Sequence, residues 1–297
     1  MDLEESVLTV KNLNKSFGKH QTLFDINFEC HKGHIIGLIG ANGAGKTTIM
    51  KSILSLVKSE GQIRVNGQDI NFDSHLALKN VGALIEYPGI YPFLSGRDHL
   101  KLFADKGQES GIQRIIDDFK MSNYIDQRAK GYSLGMKQKL GIAMAFLNDP
   151  NLIVLDEPMN GLDPQATRDL RNLIMKKKAQ GVTFLISSHI LGELQKLAED
   201  LIVIDNGRVL QKTTMTDLLE KNKHYLILST SDDLGVEDLL RFEGYEIVSN
   251  KPLKISLIEQ DNIEKIMQIL KSNNIDIYDV RHEDADLEDS VLNLISK

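Results

Sequence analysis

The sequence predicts an α/β fold: a doubly wound, largely parallel sheet with a helical insertion, followed by a small α+β unit of ferredoxin-like order. Three observations support it. Short apolar runs bounded by polar turns alternate with stretches of helical spacing, the pattern of strand–helix–strand units. One run, Leu152-Ile153-Val154-Leu155, has no polar interruption, as expected of a parallel strand covered on both faces. Beyond residue 220 the pattern becomes strand, helix, strand, strand, helix, strand, the order of the split βαβ motif.

Taken in order, Val7-Leu8-Thr9-Val10 reads as a first strand, and Asn12 to Lys19 as a polar loop carrying one aromatic, Phe17. Leu23 to Phe28 alternates apolar and polar, a half-exposed strand. Cys30 to His34 reads as a turn. Its potential metal ligands are crowded and lack a fourth, so they make a poor cage. Ile35 to Ile39 is a buried strand, and Ile49, Met50, Ile53 and Leu54 follow at helical spacing. Gly61 to Gly67 is a strand running into an Asn-Gly turn, and Val81 to Ile85 is another buried strand.

From Tyr87 to Asn148 the pattern is that of a helical insertion. Tyr87 to Phe93 is a loop dense in aromatics and prolines, and Ser95 with Asp98 can cap a helix. Helical spacing follows around Leu100–Phe103, Ile112–Phe119 and Gly135–Leu147, the last ended by Asn148-Asp149-Pro150. Val182 to Ser187 and Asp200 to Ile204 return to the sheet. Later strands are expected over 225–230, 246–249, 254–258 and 275–280, and helices over 237–243 and 263–271. An amphipathic helix over 287–295 closes the chain. The expected domains are 1–220, with the insertion at about 87–148, and 221–297.

The 297 residues are 41% hydrophobic and 26% charged, enough apolar material for a proper core. A net charge of −7 argues against nucleic acid as the main partner. A single cysteine excludes an internal disulfide. No apolar run approaches the ~20 residues that span a bilayer. Met1 to Glu5 lacks the basic and apolar regions of a signal peptide. A cytoplasmic protein is expected, so any work at a membrane needs a partner that supplies the spans.

The chemistry centres on Gly40-Ala41-Asn42-Gly43-Ala44-Gly45-Lys46-Thr47-Thr48, a G-x-x-x-x-G-K-[ST] motif between a predicted strand and a predicted helix. Glycines let the backbone curl so that successive N–H groups point at one anion. The helix start adds its positive dipole end. Lys46 can reach the β- and γ-phosphates of a nucleotide, and the Thr47 hydroxyl can bind Mg²⁺. The expected core is a P-loop NTPase, which needs an acidic partner at a neighbouring strand end. Asp156 closes the run 152–155 and can hold Mg²⁺, while Glu157 after it is the expected general base. The pair could instead cap the next helix, although Pro158 favours a loop. His189 ends the next strand, beside the crevice where such sheets bind ligands, and can hydrogen-bond a γ-phosphate. A purely structural histidine is the plain alternative. Ser133 caps the helix 135–147 and makes a second anion site. One P-loop does not need it in cis, so it is expected to serve a second copy of the chain.

These residues, in this order, resemble the nucleotide-binding subunits of ATP-binding-cassette (ABC) transporters over about residues 7–215. Gly40 to Thr47 matches Walker A, and Leu152 to Glu157 matches Walker B with its catalytic glutamate. Gly161-Leu162-Asp163 matches the D-loop, and His189 the switch histidine. Ser133-Leu134-Gly135-Met136 stands where the signature stands, and Phe17 where an aromatic stacks on adenine. The signature departs from the family at Leu134 and Met136. Glu86 replaces a usual glutamine, and Met159 a small polar residue. The segments around Glu86 and the signature are similar to the bacitracin- and lantibiotic-type exporters, which remove, or give immunity to, peptide antibiotics.

The resemblance implies an ABC ATPase domain that uses ATP and Mg²⁺. Two copies would pair head to tail, each ATP lying between Lys46 and Thr47 of one and Ser133 and Gly135 of the other. Glu86 would sit near the Mg²⁺ held by Thr47 and Asp156. A separate membrane permease would hold the protein at the inner face of the cell membrane. Tyr87 to Phe93 would form the groove for it, or else pack under the insertion. The alternative is a soluble non-transport ABC ATPase or an ATP-dependent regulator, the latter if Leu134 and Met136 disable the signature. A GTPase is disfavoured, because Asn14-Lys15-Ser16-Phe17 and Asn250-Lys251-Pro252-Leu253 lack the aspartate of the guanine motif N-K-x-D.

Overall fold

A computed structural model describes residues 5–70, 75–106, 109–189, 191–220, 224–257 and 262–284. The chain forms two compact units, Met1–Met215 and Thr216–Lys297.

The first unit opens on an antiparallel sheet. β1 (Ser6–Phe17) lies between β2 (His20–His31) and β4 (Glu60–Val65), and β4 pairs onward with β5 (Gln68–Ile70). The stretch from Asn12 to Phe17 is therefore strand, not the expected loop. Its polar side chains lack an apolar run, but backbone pairing holds it through several register shifts, with Asn12 at φ 49. β2 also runs on through Cys30 and His31, leaving only Lys32-Gly33 as the turn. His34 Nδ1 lies 2.8 Å from Asp200 Oδ2. Among the described residues, no group of three or more His, Cys, Asp or Glu is arranged to hold a metal.

The second sheet has the order β10-β9-β3-β8-β7-β6. Its parallel strands are β3 (Ile35–Ile39), β6 (Val81–Leu84), β7 (Leu152–Asp156), β8 (Thr183–Ser188) and β9 (Asp200–Asp205). β10 (Arg208–Thr214) runs antiparallel on β9. β3, β7 and β8 are buried throughout, as uninterrupted apolar strands between two layers should be. β6 corrects an expectation: it is the edge strand, ends at Leu84, and leaves Ala83 exposed.

Helix α1 (Lys46–Ile53) is packed between the two sheets. Its Ile49, Met50 and Ile53 join one buried cluster with Leu8 and Phe28 of the first sheet and Leu38, Val154 and Leu185 of the second. The insertion carries α2 (Gly96–Phe103), α3 (Glu109–Asp118) and α4 (Leu134–Ala145) between β6 and β7. α2 starts at a capping box made by Ser95 and Asp98. α5 (Pro164–Lys178) links β7 to β8, and the short α6 (Leu191–Leu194) and α7 (Met215–Glu220) follow.

The second unit orders β11 (His224–Thr230), α8 (Asp233–Phe242), β12 (Glu246–Asn250), β13 (Leu253–Leu257), α9 (Asn262–Ser272) and β14 (Ile277–Asp284). Its antiparallel sheet has the order β12-β13-β11-β14, the split βαβ arrangement. Val236, Leu240, Ile266 and Leu270 of its helices share a core with Leu226, Leu228 and Ile255. The helix expected over 287–295 lies outside the described residues. No described helix is long and apolar enough to cross a membrane.

Cys30 is fully buried, and desolvation pushes its thiol far above the ordinary range. In the folded protein it should therefore react with a thiol reagent at pH 8 far more slowly than after denaturation. Equal rates in the two states would place Cys30 outside the core.

Candidate nucleotide site

The register of the parallel sheet collects the site. Ile39 at the end of β3 is level with Ser188 of β8, and Asp156 at the end of β7 is level with Ser187. The carboxyl ends of these strands form one edge, where open α/β sheets bind ligands. The chain leaves β3 at Gly40, where an added Cβ would lie 2.2 Å from Ile204 O, so only glycine fits. Gly45, at φ 111, caps the start of α1 without a side chain of its own. The first N–H groups of α1 thus face the loop unshielded by a capping side chain, suited to an anion.

Lys46 is only 6% exposed. Its Nζ donates to Gly40 O at 2.6 Å and to Ala41 O at 3.2 Å, so the loop's own carbonyls hold the ammonium. Burial pushes its pKa below the ordinary lysine value, and the carboxylates of Glu157 and Asp156 push it back up. Thr47 Oγ1 donates to Asp156 Oδ2 at 2.7 Å. Ser187 Oγ donates to Asp156 Oδ1 at 2.5 Å and accepts the Glu157 N–H at 2.9 Å.

Glu157 turns away from β7 at φ 48, so it and Asp156 face different ways through a left-handed residue. Its carboxylate sits between two nitrogens: Oε2 is 2.7 Å from His189 Nδ1, and Oε1 is 4.0 Å from Lys46 Nζ. The structure thus brings the Gly40–Thr48 loop, Asp156, Glu157 and His189 to one place. Glu86, also left-handed at φ 58, sits at the end of β6 and pairs with Lys51 Nζ at 2.7 Å.

Other expected residues lie around this centre. Phe17 is 51% exposed near the end of β1, with Lys15 Nζ 4.3 Å from its ring centroid. Ser133 caps α4 by accepting the Met136 N–H at 3.2 Å. Leu134 and Gly135 open that helix, and Gly161 and Leu162 precede Asp163. Asp163 caps α5, accepting the N–H groups of Gln165 and Ala166. A crevice of about 200 Å³ is lined by Thr22, Asn42, Gly43, Gly45, Lys46, Thr47, Thr48 and Glu157. The signature residues Ser133 to Met136 do not line it. Sequence reasoning missed Thr22 and the bridging part of Ser187. Thr22 sits in a strand with no motif, whereas Ser187 stood two residues before His189 and could have been suspected.

A family model described as ABC transporter matches residues 23–160. The chain is 31% identical over 300 residues to the bacitracin transport ATP-binding protein BcrA of Bacillus licheniformis, covering 98% of this chain and 97% of that one. It is 41% identical over 207 residues to the lantibiotic transport ATP-binding protein SrtF of Streptococcus pyogenes, covering 69% and 89%. A solved ATP binding subunit of an ABC transporter superposes with a TM-score of 0.67 at 32% identity, covering 72% of this chain and 92% of that one.

Ser187→Ala removes the bridge that orients both Asp156 and the Glu157 backbone. It should lower ATP turnover about 10- to 100-fold, the usual scale for losing a hydrogen bond that orients a functional carboxylate. Wild-type turnover in that variant would make the bridge incidental. On sequence and fold together, the chain belongs to the ABC transporter ATP-binding proteins and has the ABC ATPase fold.

Proposed function

We propose that the protein hydrolyses ATP at a site shared by two copies of itself, and thereby drives a separate membrane permease that exports peptide antibiotics or similar amphiphiles. The observation that carries this is the placement of Glu157. Its carboxylate lies between His189 and Lys46, beside the Thr47–Asp156 pair, at the mouth of a phosphate-binding loop. In this reading the N–H groups of Gly40 to Thr48 cradle the phosphates, and Lys46 supplies positive charge to the β- and γ-phosphates. Glu157 takes the proton of the attacking water, and His189 fixes that carboxylate and can contact the γ-phosphate. Phe17 stacks on adenine, with Lys15 on its ring.

Thr47 and Asp156 are the residues that would hold Mg²⁺. Both offer hard oxygen donors, hydrogen-bonded to one another and backed by Ser187, the donor type this ion takes. When bound, Mg²⁺ would neutralise charge on the phosphate oxygens. Glu86 belongs near the metal in this reading. Its pair with Lys51 has to open before it can ligate directly.

In this reading the small size of the crevice favours a second copy that completes it. The crevice of about 200 Å³ falls below the ~300–1,000 Å³ of pockets that enclose a ligand of this class. Ser133, Leu134, Gly135 and Met136 of the other copy, at the start of its α4, supply the missing wall in this reading. Gly161, Leu162 and Asp163 stand at the junction.

A cleft of about 660 Å³ runs along the edge strand β6, lined by apolar residues such as Leu54, Leu84, Pro88, Phe103 and Met144. The aromatic loop beside it divides its duties. Tyr91 stacks on His99 with centroids 6.0 Å apart, whereas Tyr87 is 84% exposed at the rim. An apolar segment of the permease suits this cleft, and would place the protein at the inner face of the membrane. The relatives named for bacitracin and lantibiotic transport favour a peptide as the transported compound.

Lys46→Ala tests both halves of the reading. The purified variant should lose ATP turnover, and cells carrying it should be as sensitive to bacitracin-type peptides as cells lacking the protein. Unchanged hydrolysis would remove the P-loop from the account. Lost hydrolysis with unchanged sensitivity would remove the peptide substrate alone.

A further inference from the structure

The sheet of the second unit ends on two unlike edges. β12 is guarded: it is short, its register shifts between Ile247 and Ser249, and Pro252 follows soon after its end. β14 carries none of these devices. It is 8 residues long and keeps one register with β11 from Asp279 to Asp284. Among the described residues no strand lies on its outer side. The backbone groups on that side form an open row, a template for a further strand. The edge also shows apolar surface. Tyr278 is 70% exposed, and Val280 is 44% exposed although it stands level with the core residue Leu228.

The charges on β14 select the strand that fits. Asp279, Arg281 and Glu283 alternate with other residues along it, and Arg281 Nε donates to Asp279 Oδ2 at 2.7 Å on an exposed surface. Two copies of one strand, paired antiparallel about a two-fold axis, oppose residues reciprocally. Centred on Asp279, such a ladder sets Asp279 against Asp279. Centred on Arg281, it sets Arg281 against Arg281 and Asp279 against Glu283. Centred on Val280, it sets Asp279 of each copy against Arg281 of the other, and Val280 against Val280. Of these three registers, the last alone opposes unlike charges, and it does so twice.

We propose that β14 is a docking edge for β14 of a second copy, joined antiparallel with Val280 on the two-fold axis. The two four-stranded sheets then run on as one. The contact uses no residue of the nucleotide site, so it forms without nucleotide. One strand edge buries far less than the ~1,200–2,000 Å² of a stable interface, so the copies separate in dilute solution and join when concentrated.

Sedimentation equilibrium of the full-length chain without nucleotide, over rising protein concentration, tests this. The unaltered chain should pass from a single to a paired species. Asp279→Arg leaves only positive charge at the opposed places, and Arg281→Asp only negative charge. Either variant alone should pair at least about tenfold more weakly, because like charges then face each other at both places. An equimolar mixture of the two variants should pair about as well as the unaltered chain, since each meets unlike charge on the other. The ion pair within each chain stays broken in that mixture, so the rescue reads a contact between copies and no other role. An unaltered chain that stays single at the highest concentration would overturn the proposal, and is the result expected if the chain's own residues beyond Asp284 took this edge. Variants that pair as tightly as the unaltered chain, or a mixture that stays single, would overturn it equally.

Discussion

The joint on which the site depends is the carboxylate of Asp156. It is 3% exposed, and its two oxygens accept from Thr47 at the start of α1 and from Ser187 at the end of β8. A buried charge survives only when its hydrogen bonds are made, so these donors are obligatory partners. Ser187 also receives the Glu157 N–H, which sets the first residue of the following loop. One carboxylate thereby fixes the Gly40–Thr48 loop, the end of β8 and, through Ser187, the backbone of Glu157 relative to one another. The sheet makes this possible through register. Asp156 stands level with Ser187, and a slip of one residue would turn Asp156 to the other face.

Much of this was legible in the residues themselves. The P-loop is a local motif whose glycines answer local needs, as Gly40 under Ile204 O and Gly45 at φ 111 make plain. The strands β3, β7 and β8 announce themselves as uninterrupted apolar runs because both their faces are buried. The polar end of β1 and the whole of β10 were not legible. Asn12 to Phe17 sends only Leu13 into the core, and Arg208 to Thr214 has no buried side chain, so backbone ladders rather than an apolar period mark both stretches.

The nucleotide end and the apolar cleft are close in the chain, which bears on how energy could pass between them. Glu86 stands two residues beyond β6, turns left-handed, and ties to Lys51 in the last turn of α1. Tyr87, the next residue, lines the cleft. The Lys51–Glu86 pair thus ties α1 to the residue that precedes the aromatic loop. The Thr216–Lys297 unit has its own sheet and its own core.

The central claim is that each chain holds only part of the pocket and a second copy completes it. The most direct measurement is sedimentation velocity of the Glu157→Gln protein, with and without ATP and Mg²⁺; in the proposed reading this variant keeps the phosphate contacts and lacks the base. The account predicts a shift from a species of 33.3 kDa to one of twice that mass on adding both, reversed when ATP is removed. A single-chain species at saturating nucleotide would contradict it.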